Sequence, residues 1–272
     1  MKYVTKILSN TPWWKMNLKE LFNYRELFWA LAIRDIRVRY KQTVIGGAWA
    51  ILQPFLTMIV FSFFFGKIAK IPSDGIPYPI FSYSGLLLWM FFTNTISNVS
   101  VSMIGNTALI TKVYFPRIII PLSSTIITAV DYIFASLVMF VMLTYYQIPI
   151  LPRLILVPLV VLMTWFLASG IGLFLAAINV RYRDIRYALP FFIQLMVFVT
   201  PVIYPASVSG KYNWIIMLNP MSGLIEAHRA LILGHQMINL SMLGVSLIFT
   251  LVIFILGIVY FRKVERYFAD II

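Results

Sequence analysis

The sequence lacks cysteine and has few charged side chains. Of its 272 residues, nine are acidic and two are histidine, and charged residues make up 11%, compared with about 25% in soluble domains. Without cysteine the chain can form neither a disulfide nor a thiolate metal site, and two histidines leave little material for a metal centre. No Gly-x-x-x-x-Gly-Lys-Ser/Thr phosphate loop occurs. We therefore predict no nucleotide-hydrolysing site of that class, no metal and no catalytic residue in this chain.

The sequence is rich in apolar residues. They make up 61% of the chain, with a mean hydropathy of +0.90, which is typical of a protein that crosses the membrane several times. A bilayer core needs roughly 20 helical residues. By that rule the sequence predicts an all-α membrane protein with six spans, at 44–66, 79–101, 118–146, 154–178, 186–204 and 241–261. Pro190 and Pro201 lie in the fifth span and predict a kink or break there.

The distribution of positive charge predicts the orientation of the chain. The net charge is +13, and most of the 22 basic residues lie at span ends that an inside N-terminus places in the cytoplasm. The basic residues on the opposite side are Lys67, Lys70, Arg153, Lys211 and Arg229. Positive charge favours the cytoplasmic side of a membrane. We therefore predict cytoplasmic segments at 1–43 and 262–272, a single transmembrane domain at 44–261, and no nucleic-acid partner.

Two segments outside the spans have helical character. In 17–41, apolar residues recur at three- and four-residue spacing among charged ones, which predicts an amphipathic interfacial helix. It could be a membrane-surface anchor or a docking helix for a cytoplasmic partner. The segment 205–238 reads as two short extracytoplasmic half-helices separated at Asn219–Pro220, although an ordinary loop is the alternative.

Asp131 is the only acid that falls inside a predicted span. A carboxylate in the membrane interior is costly and suggests a function by default. No second ionisable residue in the predicted spans could complete a proton relay, so an ion-coupled carrier is disfavoured. We expect Asp131 to have a structural or interfacial place and Asp131→Asn to be largely tolerated. His228 and His235 lie near Glu226, but we interpret them as polar interface residues and not as metal ligands.

Several short segments of the chain occur in the same order and with similar spacing as in the sequences of one transporter family. They are the basic segment 34–41, the aromatic-containing segments 48–54 and 83–89, the turn 106–117, and the segments 183–187, 201–205 and 218–221. Together they resemble the permease of ABC exporters for polysaccharides and polyol phosphates. This family includes O-antigen export permeases, with teichoic acid and capsule exporters as relatives.

The resemblance implies a half-transporter in the bacterial cytoplasmic (inner) membrane. Such a permease forms a homodimer and binds two copies of a separate ABC ATPase, which carries the ATP and Mg²⁺, so this chain needs no cofactor of its own. The cargo would be a lipid-linked glycan such as the O-antigen of lipopolysaccharide biosynthesis. A permease for small hydrophobic drugs is the alternative. An enzyme acting on lipid-linked sugars would need paired acids, which the sequence does not offer.

The resemblance also suggests roles for particular residues. The residues expected to dock the ATPase are Arg34, Asp35, Arg37, Arg39, Lys112, Tyr114 and Arg117. Those expected to line the substrate conduit are Trp49, Phe55, Tyr83, Trp89, Phe92 and Phe198. Those expected at an extracytoplasmic gate are Tyr204, Trp214, Asn219, Pro220 and Glu226.

Overall fold

A computed structural model describes residues 18–41, 46–182, 184–234 and 237–268, and all regular structure within these ranges is helical. The predicted segments 1–43 and 262–272 fall only partly within the described residues, and His235 lies outside them. The chain starts with two helices, α1 (Leu18–Asn23) and α2 (Arg25–Lys41). In α2 only Leu31 and Ala32 are buried, and the helix packs beside two later helices, Ile119–Ser123 and Thr125–Tyr145.

Five helical segments of the described chain are long and apolar enough to cross a membrane: Ala48–Ile68, Tyr78–Gly105, Ile119–Tyr145, Pro152–Arg181 and Leu240–Tyr267. Their helices are α3 (Ala48–Phe61) with a π-helical end, α4 (Tyr78–Gly105), α6 (Ile119–Ser123) with α7 (Thr125–Tyr145), α8 (Val157–Arg181) and α12 (Leu240–Val264). The short helix α5 (Thr107–Lys112) follows α4. These five segments confirm five of the six predicted spans.

The remaining predicted span, 186–204, is shorter than expected. Helix α9 (Ile185–Val199) has 15 residues, which extend only about 22 Å. Thr200 then adopts an extended conformation with φ −95° and ψ 140°. The cause is local, because Pro201 follows and disfavours helical geometry at the residue before it. A six-span count is therefore not established by helix length.

Helix α4 forms the centre of the bundle and is the most buried of the spans. It packs against α3, α7, α8 and α9, and the most extensive helix–helix interfaces are those of α8 with α4 and with α12. Small residues allow the α8–α12 approach, since a Cβ atom at Gly170 would lie 2.6 Å from the Cα atom of Phe254. Helices in membranes associate through such small-residue contacts.

The segment between α9 and α12 is also helical. It contains a 3-10 turn (Ala206–Tyr212), α10 (Asn213–Leu218) and α11 (Pro220–Leu233). The Asn219 side chain accepts a hydrogen bond from the backbone N–H of Met221 and Pro220 occupies the first turn, which is a favoured helix start. Most of α11 is buried against α4, α8 and α12. The ordinary loop, which was the alternative interpretation of this segment, is therefore not what the structure shows, because the segment contains a packed helix.

Candidate functional site

One end of the molecule brings together segments that are far apart in the sequence. Leu31 of α2, Phe115 and Ile118 of the α5–α6 turn, and Phe261 and Phe268 at the end of α12 share one apolar cluster. This end also carries the basic segment of α2 and the turn after α5. We call it the basic end.

Three of the seven predicted docking residues at the basic end are exposed, and their side chains form no hydrogen bond, ion pair or ring contact within the part of the chain that the structure describes. Arg37 lies on the surface of α2, and Lys112 and Tyr114 lie on the α5–α6 turn. The main chain of that turn is close to α1 and α2, since the Tyr24 hydroxyl lies 3.4 Å from the Tyr114 carbonyl oxygen. The side chains of this turn are therefore available to a partner.

The other predicted docking residues have partners within the chain. Arg34 pairs with the adjacent Asp35, with Nη2 and Oδ1 2.7 Å apart, on the exposed side of α2. Arg117 is half-buried and donates to the main-chain carbonyl of Glu265. Arg39 lies 2.9 Å from a carboxylate oxygen of Asp131. Arg117 and Arg39 thus hold the fold together, which the sequence-based docking assignment did not foresee.

Asp131 lies in α7 and has two partners at the end of α2. The Tyr40 hydroxyl donates to Asp131 Oδ1 at 2.5 Å, and the Arg39 guanidinium forms an ion pair with Oδ2. The residue is buried, with 8% of its surface exposed. These contacts give Asp131 a structural place, which is one of the two that the sequence left open, but the sequence reasoning missed both partners. A buried acid calls for a paired base, and the basic segment 34–41 was the available signal.

At the opposite end, the turn after α9 is held by side chains from other helices. We call residues 200–205 the outer turn, after the side of the membrane that the sequence predicts for it. The Tyr78 hydroxyl of α4 donates to the Ile203 carbonyl at 2.7 Å, and Asn219 Nδ2 donates to Thr200 Oγ1 at 2.8 Å. These bonds satisfy polar groups that an unwound segment would otherwise leave unpaired.

Arg229 of α11 is the main contact of the outer turn. Its side chain is buried, and its Nη2 donates to the carbonyl oxygens of Pro201 and Val202 at 3.2 and 3.0 Å. Nη1 lies 2.8 Å from Glu226 Oε1, and the guanidinium carbon lies 3.9 Å from the centre of the Phe81 ring. The sequence analysis had treated this residue only as a positive charge on the predicted extracytoplasmic side. Glu226, one turn earlier in α11, supplies the opposite charge that a buried guanidinium needs.

The remaining gate residues do not form one cluster. The Tyr204 hydroxyl lies 3.0 Å from the Phe198 carbonyl oxygen and reinforces the end of α9. Trp214 of α10 is exposed, whereas Asn219 and Pro220 shape the start of α11. Next to Arg229, His228 is fully buried and contacts the Tyr132 hydroxyl at 2.8 Å and the Ser84 carbonyl oxygen at 3.1 Å. No group of three possible metal ligands occurs among the residues that the structure describes.

The predicted conduit residues fall into two sets. Tyr83, Trp89 and Phe92 belong to the buried core, and the Tyr83 hydroxyl donates to the Ala135 carbonyl at 2.8 Å. These three side chains are packed inside one chain, and their place along a conduit between two copies stays a prediction. Trp49, Phe55 and Phe198 are exposed on α3 and α9. They remain available to line such a path.

Comparison with known proteins identifies the family to which this chain belongs. The family model for ABC-2 type transporters matches residues 26–233, which is most of the chain. The chain belongs to the ABC-2 type transporter family. The matched residues include nearly all of α2, the α5–α6 turn, the outer turn and α11, whereas α1 and the end of α12 lie outside them. The architecture is therefore that of a multi-pass transporter subunit.

Individual relatives of this ABC-2 transporter are similar over nearly their full lengths. An O-antigen export system permease protein, RfbA, from Klebsiella pneumoniae is 29% identical, with 94% of this chain and 100% of the relative covered. The RfbA protein of Myxococcus xanthus is 30% identical, with 81% and 85% covered. The polysialic acid transport protein KpsM of Escherichia coli is 27% identical, with 87% and 93% covered.

Proposed function

We propose that this ABC-2 transporter is the permease subunit of an ATP-driven exporter that moves a lipid-linked polysaccharide across the bacterial cytoplasmic membrane. The similarity to O-antigen export permeases over 94% of the chain carries the proposal. Relatives named for polysialic acid transport extend the similarity to a second polysaccharide. A permease for small hydrophobic drugs is not favoured, because these relatives are named for polysaccharide cargo.

The ATPase would dock at the basic end. Lys112, Tyr114 and Arg37 present exposed polar and aromatic side chains there. This end also gathers α1, α2, the α5–α6 turn and the end of α12. If the basic end faces the cytoplasm, both termini lie on the side of the membrane that positive charge favours. Helix α9 would then cross the membrane as a sixth, shorter span. The ATP and Mg²⁺ would then be bound entirely by the partner.

The polysaccharide path would lie between two copies of the chain. None of the side chains of α9 is fully buried, and α3 buries only Pro54 and Met58. The exposed aromatic residues Trp49, Phe55 and Phe198 lie on these two helices. The flat faces of aromatic rings pack against the apolar C–H faces of sugar rings, and Trp49 adds a polar N–H group, which suits a glycan path. The outer turn and α10–α11 would control exit from that path as extracytoplasmic half-helices.

Changing the exposed docking turn tests the ATP-driven export function. In a strain that lacks the gene, the wild-type chain is expected to restore surface polysaccharide, and Lys112→Glu combined with Tyr114→Ala is expected not to. Co-purification of the ATPase should fall by at least roughly tenfold, since interface energy concentrates in a few residues. Both side chains are exposed, so permease yield and thermal stability should be unchanged.

The matched control for this variant is Lys67→Glu, which alters an exposed lysine at the end of the π-helical turn after α3. It should leave export and ATPase binding intact. Full export by the Lys112 and Tyr114 variant would contradict docking at this turn. Failure of the wild-type chain to restore polysaccharide would contradict the function itself.

A further inference from the structure

The end of α2 is fastened to the interior of a membrane span. Asp131 lies six residues after the start of α7, which is about 9 Å along the helix. Its two carboxylate oxygens contact Tyr40 at 2.5 Å and Arg39 at 2.9 Å. These partners are adjacent residues in the last turn of α2. A single carboxylate therefore joins two helices whose contacting residues are 91 positions apart.

Neighbouring contacts keep this joint in place. The Tyr40 ring packs edge-on to Phe134 of α7, with ring centres 6.4 Å apart. Burial, together with the hydrogen bond to Asp131, raises the pKa of Tyr40 above its ordinary value, so its hydroxyl remains a donor at neutral pH. The rest of α2 packs beside α6 and α7.

A small polar cavity extends from the joint into the bundle. Its volume is about 30 Å³, and its lining includes Gln53 of α3, Asn94 of α4 and Thr128 of α7 as well as Asp131. Such a volume holds a water molecule among polar partners. Three spans therefore meet at the carboxylate to which α2 is attached. A displacement of α2 would act on all three spans at this point.

We propose that Arg39, Tyr40 and Asp131 form a mechanical joint that transmits movement of α2, driven by the docked ATPase, to α7 and the adjoining spans. This inference rests on the proposed ATP-driven function. Asp131 acts as a positioning residue in it and does not contact the cargo. A partner changes a conformational equilibrium only through contacts that differ between the states. Because the joint is fixed, α2 and the membrane-spanning helices must change position together. The opposite face of α2, with Arg34 and Arg37, stays exposed.

A charge exchange between Arg39 and Asp131 tests the joint. The variants are Arg39→Asp, Asp131→Arg and the two combined, each co-expressed with the ATPase of the host in a strain that lacks the gene. Each single reversal places like charges together and is expected to lower export per permease by at least about tenfold. The ATPase should still co-purify and hydrolyse ATP within about twofold of wild type. The combined variant is expected to recover at least about a third of export.

Milder variants separate transmission from folding. Asp131→Asn keeps an acceptor for Tyr40, and the Arg39 side chain is 40% exposed and can hydrate, so export should fall by only about twofold. Adding Tyr40→Phe removes the hydrogen bond as well and is expected to lower export by about fivefold at normal permease yield. This pair of variants carries the test if the charge reversals reduce the yield of folded permease.

Distinct outcomes would overturn the joint. Normal export by both single reversals would show that the contact is not needed. A combined variant no better than either single reversal, at equal yield and stability, would show that their interaction does not matter. Loss of ATPase binding in the single reversals would assign the contact to docking. If the wild-type chain itself restores no polysaccharide, the proposed function fails, and that result is visible before any variant is compared.

Discussion

Replacing Glu226 with alanine is expected to lower the free energy of unfolding by about 3 kcal/mol, because it removes the ion-pair partner of a buried guanidinium. The side chains of Arg229 and Glu226 are 4% and 13% exposed, and their charged atoms are 2.8 Å apart. Two backbone carbonyls of the outer turn remain as acceptors for Arg229, but they carry no net charge. Equilibrium unfolding of the purified permease in detergent measures the change.

The chain offers a matched control for this substitution. Arg262 and Glu265 have the same spacing of three residues, but their charged atoms are 3.6 Å apart and their side chains are 24% and 20% exposed. Glu265→Ala is therefore expected to cost less than about 1 kcal/mol. An equal loss in both variants, or no loss in Glu226→Ala, would contradict the account of Arg229 as the buried residue that holds the outer turn.

A methyl group at Gly257 is expected to destabilise the protein by about 3 kcal/mol, near the upper end of overpacking effects. Gly257 of α12 faces Gly170 of α8, and a Cβ atom there would overlap the Gly170 carbonyl oxygen. The obstacle is backbone and cannot move aside as a flexible side chain could. Gly257→Ala must therefore separate α8 from α12, and thermal unfolding in detergent should show a lower midpoint and a lower yield of folded permease.

Gly244 provides the comparison on the same helix. A Cβ atom at this position meets no heavy atom within 4 Å, and alanine favours the helix by up to about 1 kcal/mol. Gly244→Ala should therefore be neutral or stabilising. If Gly257→Ala behaves like Gly244→Ala, the close contact between α8 and α12 does not contribute as described.

The sequence was most informative where a single helix carries the signal. Five spans follow from apolar length alone, and the helix start at Asn219–Pro220 follows from cap chemistry. The sequence predicted a break at Pro201, but the fifth span was still extended to residue 204 because apolar residues continue past the proline, whereas α9 ends at Val199. Local conformational rules therefore deserve as much weight as hydropathy near a proline.

Contacts between distant helices were not accessible from the sequence. Nothing in the local pattern pairs Asp131 with Arg39 and Tyr40, although a buried acid by itself implied a partner. Aromatic residues were hard to assign for a different reason. In a membrane protein the same aromatic residue types occur both in the buried core and on exposed surfaces. Tyr83 is in the core because its hydroxyl finds a backbone acceptor, whereas Phe198 is exposed on a helix with few neighbours.

The location of lipid-linked polysaccharide in a host strain that lacks the gene tests the central claim most directly. Export by this permease predicts that long glycan disappears from the cell surface and accumulates, still attached to lipid, on the cytoplasmic side of the membrane. Restoring the gene should reverse both changes. Normal surface glycan, together with altered sensitivity to apolar drugs, would contradict polysaccharide export and favour a drug permease.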